Sequence, residues 1–351
     1  MSGEAQAGSR ERVLAVLEGR PVDRAAVCFD LEPFHEQLRQ MGIEEPDVEL
    51  GVDLKKVWFV PAAEEWPKEK DEPRVGDKQQ AANYSRWGYY PGEIDRRNPL
   101  IAAESVRDLE AYNFPVVESE EEASRLRGIV DAHHERGFAV AGQIPHLGGV
   151  LFETAYRLRG LDNMLEDFRS RRSFAEALLE RITEAACRNV EQLVASGVDI
   201  LLLGDDIGTP TSMLISPRLW RRWLKPRLAR MIDAARRVRP DVAVAYHSDG
   251  YYMPVVEDLV EIGVRILNPV QPDCMDPVAI RRQFGDALVL WGTVGSASLM
   301  ARGSPEAIDQ EVRRRRAALG DRLILCPAYD LEGNVPVENA LAFLRAAARQ
   351  R

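Results

Sequence analysis

The sequence predicts an α/β protein built as a single (β/α)8 TIM barrel over residues 1–351, with a loop-rich insertion at 61–110 near the barrel mouth. Three observations carry that expectation. From about residue 138 onward, apolar runs of strand length alternate with amphipathic helical stretches, as right-handed βαβ units around a parallel sheet require. Two earlier apolar runs bring the candidate strands to eight, the number that closes such a barrel. A chain of 351 residues, 45% hydrophobic and 29% charged, also falls within the size range of one barrel with insertions.

The candidate strands, in order, are Ala25–Asp30, Lys56–Val60, Phe138–Ile144, Asp199–Asp205, Val242–His247, Arg265–Val270, Leu288–Gly292 and Arg322–Cys326. Runs such as VAVAY before His247 and LIL before Cys326 are apolar without alternation, which marks strands buried on both faces. Between them, Ser173 opens an S-x-x-E capping box with Glu176. Phe174, Leu178, Ile182, Ala186, Val190 and Leu193 then recur on one helical face. Ser216-Pro217 and Ser304-Pro305 each pair an N-cap with a proline at the first helical position. Gly197, Gly263 and Gly320 each stand where a left-handed C-cap would end a helix before the next strand. The segment 61–110 breaks the rhythm: it is rich in charge, proline and aromatics, including Trp66, Tyr84, Trp87, Tyr89 and Tyr90.

A net charge of −10 and a pI near 5.3 argue against nucleic-acid binding, which needs concentrated Lys and Arg to displace counterions from phosphates. Arg313 to Arg316 lie in a helical stretch between acids and read as a solvated face. No apolar run approaches the ~18–20 residues of a membrane span, and the first residues lack the apolar core of a signal peptide. The expected compartment is the cytoplasm. Four widely spaced cysteines, Cys28, Cys187, Cys274 and Cys326, make no disulfide framework there, so a special cysteine would be a ligand or a nucleophile.

The chemistry-bearing residues cluster at predicted strand ends, which in a parallel barrel share one rim. Tyr-His-Ser-Asp-Gly at 246–250 offers His247 and Asp249 two residues apart, on one side of an extended chain. Leu-Cys-Pro-Ala-Tyr-Asp at 325–330 brings Cys326 and Tyr329 to the same rim. Imidazole, carboxylate and thiolate together suit Zn²⁺ with an open position. The same residues also admit a plainer account, with His247 hydrogen-bonded in the core and Cys326 a small buried filler. Glu153, after a glycine-bearing loop, is a further ligand or base, or simply an acid favoured at a helix start. His146 in that loop is a weaker ligand candidate.

Asp205 and Asp206 follow the DILLLG strand and face different directions, so one enters the site while the other caps a loop. A buried acid among other acids has its pKa raised, which suits proton donation. Asp30 and Glu32 form a similar pair after the first strand. Together these acids make the mouth anionic unless a cation is bound.

Several blocks then become recognisable: RERVLAVLEGRPVDRAAV, GDDIGTPTSMLISPRLWRRWLKPRLARMIDA, YHSDG, EIGVRILNPVQP, FGDALVLWGTV and PVENALAF. In that order the chain resembles the uroporphyrinogen decarboxylase superfamily over nearly its whole length. The resemblance implies a (β/α)8 barrel with its site at the C-terminal mouth. The superfamily holds cofactor-free decarboxylases and zinc-dependent methyltransferases that move a methyl group from a corrinoid protein to an acceptor. The decarboxylases carry an arginine pair after the first strand and a histidine in the last strand's loop. Here FDLEPFHEQ has Asp30 and Glu32 instead, and Tyr329 stands where that histidine would fall. The methyltransferases use H-x-C and a distant Cys, matched here by His247, Asp249 in place of the first Cys, and Cys326.

The expectation that follows is a zinc-dependent methyl or alkyl transferase acting on a small-molecule substrate. His247, Asp249 and Cys326 are its ligands, Glu153 is the fourth ligand or base, and a separate corrinoid protein is the methyl donor. The alternative is a cofactor-free decarboxylase or lyase, with Asp30, Asp205 or Tyr329 handling the proton. A non-catalytic binding protein is the third reading. The resemblance and the prevalence of two-fold oligomers both point to a homodimer.

Overall fold

The computed structural model describes residues 7–58, 98–117, 119–328 and 335–349. Within them eight strands form one sheet: β1 (Ala26–Val27), β2 (Leu54–Trp58), β3 (Ala139–Gln143), β4 (Ile200–Gly204), β5 (Ala243–His247), β6 (Ile266–Val270), β7 (Val289–Val294) and β8 (Leu323–Pro327). Their order is β1-β8-β7-β6-β5-β4-β3-β2, and every pairing is parallel. The two ends of that order meet. Cys28 bridges Leu54 in parallel, and the Asp53 N–H donates to the Val27 carbonyl at 2.8 Å. The sheet is therefore a closed barrel with helices between successive strands, the (β/α)8 architecture that the strand count predicts.

The seam between β1 and β2 is fastened by one carboxylate. Asp53 is fully buried and accepts from Arg12 Nη1 at 2.7 Å, Arg24 Nη1 at 2.6 Å and the Val27 N–H at 2.8 Å. This anchor explains why β2 starts at Leu54 rather than Lys56: pairing begins where Asp53 pins the chain, ahead of the apolar run. β1 is shorter than expected because only Ala26 and Val27 pair with β8 before the Cys28 bridge takes over.

Inside the barrel lie Ala26, Cys28, Leu54, Ala139, Ala141, Ile200, Leu202, Ala245, Ile266, Val289, Trp291 and Ile324, joined from below by Val13 and Val16 of the helix Ser9–Glu18. The i, i+2 recurrence is that of side chains on one face of a strand. Four inward alanines leave space that the indole of Trp291 fills, in keeping with interiors packed to crystal-like density. A second, larger cluster packs the outward strand faces against the helices.

Ser216 and Ser304 do cap their helices, accepting from the N–H groups of Leu219 at 3.2 Å and Ala307 at 3.3 Å. Gly197, Gly263 and Gly320 all take positive φ. The Ser173 capping box does not form: the helix Arg172–Ala195 begins a residue earlier, behind Arg171, because the helix Leu161–Arg169 delivers the chain there almost without a loop. Most of the expected insertion at 61–110 lies outside the described residues; its described end carries the short helix Val106–Glu110. No helix among the described residues is long and apolar enough to cross a membrane.

Candidate active site

The inward-facing alternation continues past the strands and changes character at their C-terminal ends. Above the apolar layers stand Lys56 and Trp58 on β2, Gln143 on β3, His247 on β5, Asn268 on β6 and Cys326 on β8. With Cys28, Asp30, His146, Glu153, Arg157, Asp206 and Asp249 they line a cavity of about 320 Å³. Its floor is Leu202 and Trp291, so the reacting volume sits on the packed interior of the barrel.

Three donors converge in it. One ligand atom each from Asp206, His247 and Asp249 lies within 4.8 Å of the others, the one such grouping of three among the described residues. His247 Nε2 is 3.6 Å from Asp206 Oδ1, which also accepts the Asp249 N–H at 2.8 Å. Two of the donors are held from behind. His247 Nδ1 donates to Asn268 Oδ1 at 2.8 Å, leaving Nε2 for the cavity. Gln271 Nε2 donates to Asp249 Oδ1 at 3.0 Å and to the Ala328 carbonyl at 3.2 Å, while Gln271 Oε1 accepts the Gly250 N–H at 2.6 Å. Gln271 thereby ties the loops after β5, β6 and β8 together. Such outer partners set the orientation of metal-binding side chains.

The adjacent acids after β4 divide their tasks. Asp206 enters the cavity, whereas Asp205 is buried and accepts the N–H groups of Leu151 and Glu153, both at 3.0 Å, at the start of the helix Phe152–Arg159. Burial, and then the charge of Glu153, raise the Asp205 pKa well above the ordinary range. Glu153 lines the cavity, and its Oε2 accepts the Asp206 N–H at 2.9 Å. Its Oε1 takes the Tyr156 hydroxyl at 3.1 Å, with Arg157 at 3.7 Å. Burial and Asp206 raise its pKa too. This packing needs a glycine at 149, where a Cβ would lie 2.5 Å from Asp205 Oδ1 and 2.7 Å from Glu153 Oε2.

The remaining sequence-predicted residues are spread around the same cavity. Asp30 lines it from the β1 end and accepts the Glu32 N–H at 3.0 Å. Cys326 lines it from β8 together with Cys28, outside the group that His247 and Asp249 form with Asp206. The neighbouring Cys326 thiol, with Lys56 and Lys55 and against the effect of burial, lowers the Cys28 pKa. His146 is buried against Trp58, ring centroids 5.2 Å apart, and burial, then the charges of His247 and Arg157, lower its pKa to about 3. Tyr329 lies outside the described residues.

Sequence reasoning missed Cys28, Lys56, Trp58, Gln143, Arg157, Asn268 and Gln271. Counting in twos from the predicted strand interiors would have found Lys56, Trp58, Gln143 and Asn268. Lys56 and Arg157 also bring positive charge to a mouth that the acids alone would make anionic.

A closed parallel barrel with clustered donors and perturbed acids at its C-terminal mouth defines a (β/α)8 enzyme whose chemistry is built from the loops after its strands. The chain belongs to the uroporphyrinogen decarboxylase (URO-D) family, which residues 94–350 match. It is similar along 96% of its length to the methylcobamide:CoM methyltransferase MtaA of Methanosarcina barkeri, 23% identical over 367 residues and likewise covered to 96%. The MtaA of M. barkeri strain Fusaro is 22% identical over the same span. A methyltransferase from Methanosarcina mazei shares the fold with a TM-score of 0.63 at 18% identity, with 97% of this chain and 98% of that one covered.

Proposed function

We propose that this chain is a zinc-dependent methyl or alkyl transferase that activates a small-molecule acceptor at the barrel mouth. The observation that carries the reading is the Asp206–His247–Asp249 donor set, seen beside full-length likeness to proteins named as methyltransferases. One imidazole and two carboxylates with an open side fit a zinc ion, whose ligands stand ~2.0–2.2 Å from the metal. Small side-chain rotations would close a set already within 4.8 Å. Cys326, released from Cys28 to reach the ion, or Glu153 is the fourth donor in this reading, and Glu153 otherwise serves as base. Bound zinc would act as a Lewis acid, lowering the pKa of the acceptor group and presenting it as a nucleophile.

The chain's own residues do the rest. Asn268 and Gln271 hold His247 and Asp249 in their binding orientations. Lys56 and Arg157 are placed to receive an anionic part of the substrate. Glu153, with its pKa raised, is able to take up the proton that the acceptor loses. The names of the relatives support a methylcobamide donor, which we assign to a separate corrinoid protein seated over the mouth of a cytoplasmic homodimer.

The test is to mix the zinc-loaded enzyme with a methylcobamide and a panel of thiols, alcohols and amines, and to follow loss of the methyl–cobalt absorbance. Demethylation that needs both zinc and an acceptor, and that His247→Ala abolishes, is the expected result. One observation favours a cofactor-free decarboxylase or lyase instead: Glu153, a buried cavity acid with a raised pKa, could donate the proton that replaces a lost carboxylate. Chelator-resistant carbon dioxide release, with no demethylation for any acceptor, would establish that second reading.

A further inference from the structure

Cys28 and Cys326 are far apart in sequence and adjacent in space. β1 and β8 pair in register, Ala26 opposite Ile324 and Val27 opposite Leu325, and the Cys28 N–H continues the ladder to the Leu325 carbonyl at 2.9 Å. The same register extended by one residue sets Cys28 beside Cys326. Both side chains face the barrel interior, packed with the inner cluster, and both line the cavity. Neighbouring strands run ~4.7–4.9 Å apart, inside the ~4.4–6.8 Å Cα window that a disulfide spans. Both cysteines line the cavity and Cys326 is partly exposed, so a small solute that enters the mouth reaches the pair.

We infer that Cys28 and Cys326 form an oxidisable thiol pair that closes to a disulfide across the β1–β8 boundary when a low-molecular-weight disulfide such as glutathione disulfide enters the cavity. Cys326, the more exposed, loses its proton to solvent and attacks one sulfur of the oxidant, expelling one glutathione thiolate and leaving a mixed disulfide. Cys28 then loses its proton and attacks the Cys326 sulfur, expelling the second glutathione. Two protein thiols become one disulfide. The oxidant takes up the two electrons and, from solvent, two protons, and leaves as two glutathione thiols. Closure withdraws the Cys326 sulfur from the cavity's donors, and a reducing thiol restores it.

The other two cysteines serve as internal comparators: Cys187 lies on the helix Arg172–Ala195, and Cys274 contacts Gln271 at 3.6 Å. The reduced full-length chain is incubated with glutathione disulfide, denatured, alkylated, digested and mapped by mass spectrometry. The expected result is loss of two of the four thiols, with one linked peptide pair joining Cys28 to Cys326 that dithiothreitol separates. Cys187 and Cys274 remain alkylatable. In Cys28→Ser the adduct stays on Cys326, because no second thiol resolves it. A wild-type chain that keeps glutathione on Cys326 while Cys28 is alkylated, or in which both remain alkylatable, overturns the inference. The wild-type map alone decides the matter if the variant fails to fold.

Discussion

Asn268 Oδ1 accepts a hydrogen bond from His247 Nδ1 at 2.8 Å, and this contact turns Nε2 toward Asp206. It fixes both the tautomer and the ring plane of the one imidazole in the donor set. Removing it in Asn268→Ala is expected to weaken zinc binding by roughly 10–100-fold, read by competition with a chromogenic chelator. Asn268→Asp, which still accepts from Nδ1, should retain most of the affinity. Equal affinities in wild type and Asn268→Ala would show that the ring is oriented by something else.

Gln271 is the corresponding support for Asp249, and it acts across three loops. Gln271→Glu replaces a donor with a second anion beside Asp249. The variant should lose about tenfold or more in zinc affinity, with a larger effect at low ionic strength, where the repulsion is unscreened. A loss that does not change with salt would mean that packing, not charge, is what Gln271 contributes.

His146 gives the pH dependence a definite sign. Its folded pKa of about 3 lies below the unfolded value of about 6.5. The folded chain therefore prefers the neutral ring, and the associated stability is complete above pH ~6.5 and drains away as the pH falls toward ~3. Between those limits wild type should lose up to about 1.4 kcal/mol per pH unit relative to His146→Gln, measured by urea denaturation at several pH values. A difference that stays constant with pH would contradict the buried, neutral ring.

Asp53 predicts the opposite separation of effects, because it sits at the far end of the barrel from the cavity. Asp53→Ala leaves Arg12 and Arg24 buried without their shared carboxylate and should cost about 3–5 kcal/mol of stability. Zinc affinity of the folded fraction should be unchanged. Denaturation midpoints and chelator competition on the same preparation check both halves.

The barrel was legible because each strand is an apolar run bounded by its own punctuation, and eight of them leave one closed solution. The rim was legible in part, since His247, Asp249 and Cys326 end such runs. What escaped depends on contacts between distant segments. Which of Asp205 and Asp206 faces the cavity is decided by the start of the helix Phe152–Arg159, whose N–H groups claim Asp205. Cys28 was one of four scattered cysteines, and only the pairing of β1 with β8 brings it beside Cys326. Lys56 and Trp58 lie within the expected strand Lys56–Val60, but which of its faces turns inward is set by pairing with β3, where Lys56 stands opposite Ala141 and Trp58 opposite Gln143.

The most direct test of the central claim is metal content, by elemental analysis of untagged protein after zinc loading and desalting. It is made on wild type and on Asp206→Ala, His247→Ala and Asp249→Ala. About one zinc per chain is expected in wild type, as a single mononuclear site requires, with loss of it in each variant while the barrel stays folded. Wild-type protein that retains no zinc after loading, or variants that retain as much as wild type, would contradict that claim.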